Sequence, residues 1–398
     1  MQWMQNDDLE FINSQNVLTC IETGLDKPSR AKIAKYVGLS RTAITLIAQR
    51  LIKHHLIQEL ETTVNGRGRP GTPLVIDDTY WHVVGASFYS KRWLFVAINL
   101  LGKIILQHTV PVAMTTPEEI IGRLLEGLDY MRENCPGQMI PAYGIGAPGV
   151  IDNETGDIFR ADDLGWKDII PIRTIIEQHT GMKAYIINRY RADGLAEIRY
   201  GNHKDARNLL YIGIGTGIAG SIYLNGELMN STKYRLGHMV IDPNGPMCGC
   251  GQRGCLQAMA AEIALIGFAE KNIHEHPGFL SSSNERPLTG ALICRLAQEG
   301  DQDAQACLEH IATPISIAIC TLVNVIAPEK IIIGGPLGDN SRYLVDCIRI
   351  KVKERLLDWQ NNEITITQGT RGYSGSAVGA ASFALDHKLE LILGEDSD

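Results

Sequence analysis

His238 is followed by Cys248, Cys250 and Cys255 in the run GHMVIDPNGPMCGCGQRGCLQA, which places one imidazole and three thiols within eighteen residues. Three thiolates and one ring nitrogen make the donor set of a tetrahedral zinc site. Glycines at 245, 249, 251 and 254 let the backbone turn tightly enough for the four donors to meet. All four positions are filled by protein, so the spacing predicts a structural Zn2+ that pins a loop and leaves no coordination site for a reactive water. Scattered core cysteines are the alternative, but cysteines this close, with glycines between them, rarely pack as hydrophobes.

The other six cysteines (20, 135, 294, 307, 320 and 347) are dispersed without a framework spacing, which fits reduced thiols. No run of 18 apolar residues occurs and the first ten residues are polar and acidic, so a cytoplasmic protein with no membrane partner is expected. The 398 residues suffice for two or three domains. Their net charge of -8 conceals an asymmetry: nine Lys or Arg stand between Lys27 and Arg69 against Glu59 and Glu61 alone. A segment of +7 on a body of -15 points to a nucleic-acid contact carried by a domain that otherwise repels phosphate.

That basic segment reads as three helices and a hairpin over residues 11–77. Asn13 to Gly24 is amphipathic, with Val17, Leu18 and Ile21 on one face. Pro28 and Ser29 open a short helix that ends at Gly38. Ser40 then caps RTAITLIAQRLIKHHL, in which Ala43, Ile44, Ile47, Ala48 and Leu51 form the core stripe. Two helices joined by a glycine turn make a helix-turn-helix. Arg41, Thr42, Thr45 and Gln49 are expected at base edges, with Ser40 beside them, and Ser29, Arg30, Lys32 and Lys53 at phosphates. LIQELETT and TPLVID flank NGRGRPG as a wing, whose Arg67 and Arg69 would enter a minor groove.

The body begins with three successive strands, HVVGASFYS, KRWLFVAINLLG and KIILQHTVP, followed by a helix from Pro117 to about Glu133. Strands at 140–147 and 183–188 follow, with the helix IPIRTIIEQHTG between them. LLYIGIGTGIAGSIYLNGEL starts a second unit, which continues through long helices, the buried strand KIIIGG and the small-residue helix GSAVGAASFAL. The expected class is α/β: a winged helix-turn-helix followed by two lobes around a cleft, with no sequence-level repeat between the lobes.

GIGAPGV at 144–150, LGW at 164–166, GIGTGIAGSIYLNGEL at 213–228, the His-Cys run and IIIGG at 331–335 together resemble the ROK family. The resemblance implies an actin-like, hexokinase-type body, and the N-terminal module places the chain beside the branch of sugar-responsive repressors. Domains are then expected at 1–78, 79–190 and 191–398, with the C-terminal helix free to pack back on the first lobe.

A kinase of this family needs an acidic glycine-rich first turn and an Asn-Asp pair. Here Ser87 stands at the first aspartate position, Tyr89 at a glycine position, and Arg189 follows Asn188 where the catalytic aspartate belongs. A guanidinium that is always protonated cannot act as a general base, so no catalytic residue and no enzyme activity are expected. Arg235 and Gln257 replace two glutamates of the sugar site, and Asp163 replaces an asparagine.

The expected ligand set is therefore Asp163, Asn188, Arg189, Arg235 and Gln257, suited to a sugar or, by its charge, a sugar phosphate or sugar acid. Pairing of the two arginines with nearby acids such as Asp163 is the competing expectation. The residues together lead to the expectation of a carbohydrate-related repressor that binds a two-fold DNA operator as a homodimer or homotetramer. A carbohydrate kinase and a scaffold that docks a protein partner are the alternatives.

Overall fold

The computed structural model describes residues 6–60, 71–89, 91–161, 164–202, 206–229, 234–276, 278–281 and 285–394. The N-terminal module consists of α1 (Asn6–Thr19), α2 (Arg30–Val37), α3 (Arg41–Lys53) and the antiparallel strands β1 (Ile57–Glu59) and β2 (Leu74–Ile76). Gly38 ends α2 in the left-handed region at φ +78, and the Ser40 hydroxyl accepts the Ala43 amide at 3.1 Å to start α3. Val17, Leu18, Ile33, Ile44, Leu51 and Leu74 meet in the core.

Helix α1 begins seven residues before the position read from the sequence, and it finishes as a π-turn over Cys20–Gly24. Leu9, Phe11 and Ile12 in its first turns are exposed, so burial periodicity could not mark that start. The Glu10–Arg50 ion pair ties this end to α3. The strands flanking the wing are shorter than expected, and its tip, with Arg67 and Arg69, lies outside the described residues.

In the first lobe β3 (Trp81–Tyr89), β4 (Arg92–Asn99) and β5 (Ile104–Pro111) form a meander, followed by α4 (Pro117–Asn134) and β6 (Gln138–Ala147). The short pair β7 (Val150–Ile151) and β8 (Ile158–Arg160), then α5 (Ile172–Thr180) and β9 (Lys183–Asn188), complete it. The sheet order is β5-β4-β3-β6-β9.

After α6 (Arg189–Tyr200), a second meander comprises β10 (Leu209–Ile214), β11 (Ile218–Leu224) and β12 (Glu227–Leu228). Helices α7 (Leu256–Ala260), α8 (Glu262–Glu275), α9 (Gly290–Gln298) and α10 (Gln302–Ile326) lead to β13 (Lys330–Gly334). Then come α11 (Gly335–Asn340), α12 (Arg342–Lys353), α13 (Asp358–Glu363) and β14 (Thr365–Gln368). The order β12-β11-β10-β13-β14 repeats that of the first sheet, with the last two strands again parallel to the first of the meander. Helix α10 is long and apolar enough to cross a membrane, but Cys307, Ile311, Ile315 and Ile319 along it are buried in the core of the second lobe.

The chain then returns to the first lobe through α14 (Gly375–Leu385) and α15 (Lys388–Leu393). Helix α14 is built of small residues because it lies between α6 and the first sheet with backbones nearly touching. A Cβ on Gly379 would sit 1.7 Å from the Ala192 carbonyl oxygen of α6, and one on Gly144 of β6 would sit 1.8 Å from that of Ala380. Helix α15 shares an apolar cluster with the N-terminal module, and the Lys388 ammonium pairs with Glu22 at 3.0 Å.

Gly379→Ala should therefore force apart helices that have no slack, lowering stability by about 1–3 kcal/mol. Gly267→Ala, on α8 with open space around it, should be neutral or stabilising by roughly 0.5–1 kcal/mol. Denaturant unfolding of both variants checks this, and equal midpoints would contradict the packing account.

Candidate functional site

The His-Cys loop folds on its own hydrogen bonds. The Gly251 amide donates to the Cys248 carbonyl at 2.9 Å, the Cys248 amide to Gln252 at 2.8 Å, and the Gly254 amide to Pro246 at 2.8 Å. Gly254 lies at φ +67 with its Cβ position 1.5 Å from the Asp242 carbonyl oxygen, so no other residue fits there. This brings the His238 ring and the three cysteine sulfurs within 4.8 Å of one another. Cys248 Sγ lies 3.6 Å from His238 Nδ1, and Cys250 Sγ lies 3.7 Å from Cys255 Sγ. Metal–sulfur bonds of about 2.3 Å and metal–nitrogen bonds of about 2.0–2.1 Å in a tetrahedron give edges of roughly 3.5–3.8 Å, so the cluster could hold a metal ion. Burial, reinforced by the neighbouring thiols, pushes the Cys255 thiol up to about 12. A cation bound there would displace that proton.

The loop borders a cleft between the lobes with a volume of about 120 Å³. That is well above the ~10–15 Å³ that admits one water, so a small polar molecule fits. The turn after β6, the start of α6, the β10–β11 turn, the segment Tyr234–His238 and Gln257 line it. Asn188 caps α6 by accepting the Tyr190 and Arg191 amides at 3.0 and 3.3 Å, and its side-chain amide donates to the Gly149 carbonyl at 2.8 Å. Gln257 accepts the Ile218 amide at 3.3 Å.

Arg189 is only 4 % exposed. Its guanidinium donates to the Thr216 hydroxyl at 3.0 Å and the Phe88 carbonyl at 3.4 Å, and it lies 5.1 Å from the ring centroids of both Tyr89 and Tyr190. Arg235 stands exposed at the rim and makes no side-chain hydrogen bond with a described residue. Asp163 lies outside the described residues. Two further arginines were not anticipated from the sequence. Arg191 lies over the Tyr234 ring at 5.5 Å, and Arg160 reaches the metal loop by donating to the Gly249 carbonyl at 3.0 Å. The Arg-Tyr-Arg run that opens α6 was the available signal for Arg191; nothing local marks Arg160. With four arginines and no carboxylate among its described lining residues, the cleft is cationic.

Where a phosphate cradle would need open backbone amides, the Tyr89 hydroxyl lies 2.2 Å from the Cβ position of Gly215 in the β10–β11 turn. Ser87 is turned inward, its hydroxyl 2.7 Å from that of Ser376 on α14.

In the N-terminal module Arg41, Thr42 and Gln49 are exposed on α3, and Thr45 is half-buried with its hydroxyl donating to the Arg41 carbonyl at 2.8 Å. Lys32 and Lys53 are exposed, whereas Ser29 is half-buried beside Pro73. Arg30 pairs with Glu59 of β1, which commits much of its charge inside the module.

The ROK family model matches residues 91–387. The DNA-binding transcriptional repressor Mlc of Escherichia coli is 26 % identical over 382 residues, covering 94 % of this chain and 93 % of that protein. A solved structure of a ROK family transcriptional regulator, a homologue of the E. coli Mlc protein, superposes with TM-score 0.82 at 24 % identity, covering 97 % of this chain and 98 % of that one. A ROK family glucokinase of Streptomyces griseus, solved with glucose and AMPPNP, gives TM-score 0.70 at 23 % identity over 77 % of this chain and 99 % of its own.

Metal analysis of the purified chain should find one divalent transition ion per protein. Cys255→Ser should lose the ion and melt several degrees lower. A wild-type protein that purifies without any ion, or a Cys255→Ser variant that keeps the ion and melts with the wild type, would contradict the assignment.

Proposed function

Since the chain belongs to the ROK family, we propose that it is a sequence-specific DNA-binding repressor of carbohydrate-related genes, with a kinase-like body that senses a ligand and does not transfer phosphate. The observation that carries this reading is the exposed face of α3 with Arg41, Thr42 and Gln49, in a module joined by the Lys388–Glu22 ion pair to a body whose base position holds Arg189. The comparisons support it: the Mlc match runs through the module, while the glucokinase leaves a share of the chain about the module's size unmatched. Arg189 cannot accept a substrate proton, and Tyr89 covers the turn where phosphate would rest.

The three cysteines and His238 hold a structural zinc that braces the cleft's edge. Arg191 and Arg235, with Asn188 and Gln257, receive a sugar, sugar phosphate or sugar acid, the arginines favouring an anionic one. Such a ligand acts on the start of α6. The other end of that helix reaches α14 through the Tyr200–Ser382 hydrogen bond at 3.0 Å and the Arg199–Asp386 pair. Lys388 on α15 then passes any shift to Glu22, in the turn that ends α1 of the DNA module. The chain acts as a homodimer or homotetramer, so two or more modules meet a two-fold operator.

Two outcomes check this by fluorescence anisotropy on operator and random duplexes. Arg41→Ala should lose about 1–3 kcal/mol on operator and relax sequence preference, whereas Lys32→Ala should weaken every duplex alike and flatten the salt slope by about one unit. Equal effects of both variants on both duplexes would overturn the contact assignment. In a thermal-shift series, phosphorylated and acidic sugars should raise the melting temperature more than neutral ones, and Arg235→Ala should erase that difference. No shift with any anionic sugar would remove the anionic-ligand reading.

A further inference from the structure

Positions 42, 45, 46 and 49 of α3 are spaced three and four apart and share one helix face. Thr42, Thr45 and Gln49 are the polar residues expected of a surface that reads base edges. The fourth is Leu46, 64 % exposed, whereas Ile44, Ile47, Ala48 and Leu51 complete the buried side. The module's core therefore does not require a leucine at this position.

The charge of α2 and α3 indicates which partner Leu46 meets. Lys32, Lys35, Arg41 and Lys53 are exposed on the same two helices, and none pairs with a carboxylate among the described residues; Arg30 and Arg50 are the basic residues paired internally. An exposed apolar residue on a pair of helices that carries unneutralised cations is suited to a polyanion that also offers an apolar group.

We infer that Leu46 is a specificity-determining residue, contacting the C5-methyl of a thymine in the major groove and so fixing a T·A pair within each half-site. This rests on the DNA-binding reading. Among the four bases only thymine presents an apolar group in that groove, and Ser40-capped α3 places Leu46 within its first two turns, the part of a recognition helix that meets base edges.

Duplexes selected by the full-length protein from a random pool test this, because uracil in place of thymine removes the methyl and leaves every hydrogen-bonding group. A single thymine-to-uracil change in one half-site should weaken the wild-type protein about fourfold, the factor that burial of a single methyl gives. Leu46→Ala should bind more weakly, melt like the wild type, and bind thymine and uracil duplexes equally. Insensitivity of the wild type at every thymine, or an undiminished uracil penalty in Leu46→Ala, would overturn the inference. So would a change in sedimentation with unchanged DNA affinity, which would assign Leu46 to a protein contact. If no duplex is enriched over a scrambled one, the DNA-binding reading fails and the inference fails with it.

Discussion

The approach of α14 to α6 is the constraint on which the molecule depends. The two backbones meet where Gly379 faces the Ala192 carbonyl, and the opposite side of α14 lies against β3 and β6 of the first sheet. Interiors this dense move as discrete units, so a displacement at one end of α6 has few places to be absorbed. Helix α6 starts in the cleft at Arg189 and ends at Tyr200, which adjoins α14. The sheets, the cleft and the DNA module are thus connected through one pair of helices. The alanine, serine and glycine content of α14 is what permits the contact.

Charge along α6 follows the same geometry. Its first turn presents Arg189 and Arg191 to the cleft. Further along, burial, with Asp339 and Glu197 adding to it, holds the Asp193 carboxyl well above the usual carboxylate range, which favours its protonated form. Burial likewise raises Asp339 to about 7. Glu197 accepts the backbone amides of Thr370 and Arg371, tying α6 to the loop that leads into α14. The cationic end faces the cleft, and the carboxylates further along the helix are spent on internal fastening.

What the sequence made legible was local. Ser40, Gly38 and the apolar stripe of α3 announce the helix-turn-helix because caps and periodicity act within a few residues. The His-Cys run announces its own geometry for the same reason. The repeated sheet order was invisible, since strand order is set by crossovers that leave no periodic trace. The return of α14 to the first lobe was open only through the family resemblance; small residues signal close packing without naming the neighbour. Arg30–Glu59 and Arg50–Glu10 join residues 29 and 40 apart, so the phosphate role expected of Arg30 could not be weighed against its internal partner. Arg160, 89 residues from the loop it touches, escaped for the same reason.

Whether the basic module reads a DNA sequence is decided by equilibrium binding. The full-length protein should be titrated, across a series of salt concentrations, against the duplex upstream of its own gene and a scrambled duplex of equal length. A sequence reader binds the native duplex more tightly at physiological salt, with affinity for both falling steeply as salt rises. Equally weak binding to both duplexes would contradict that role.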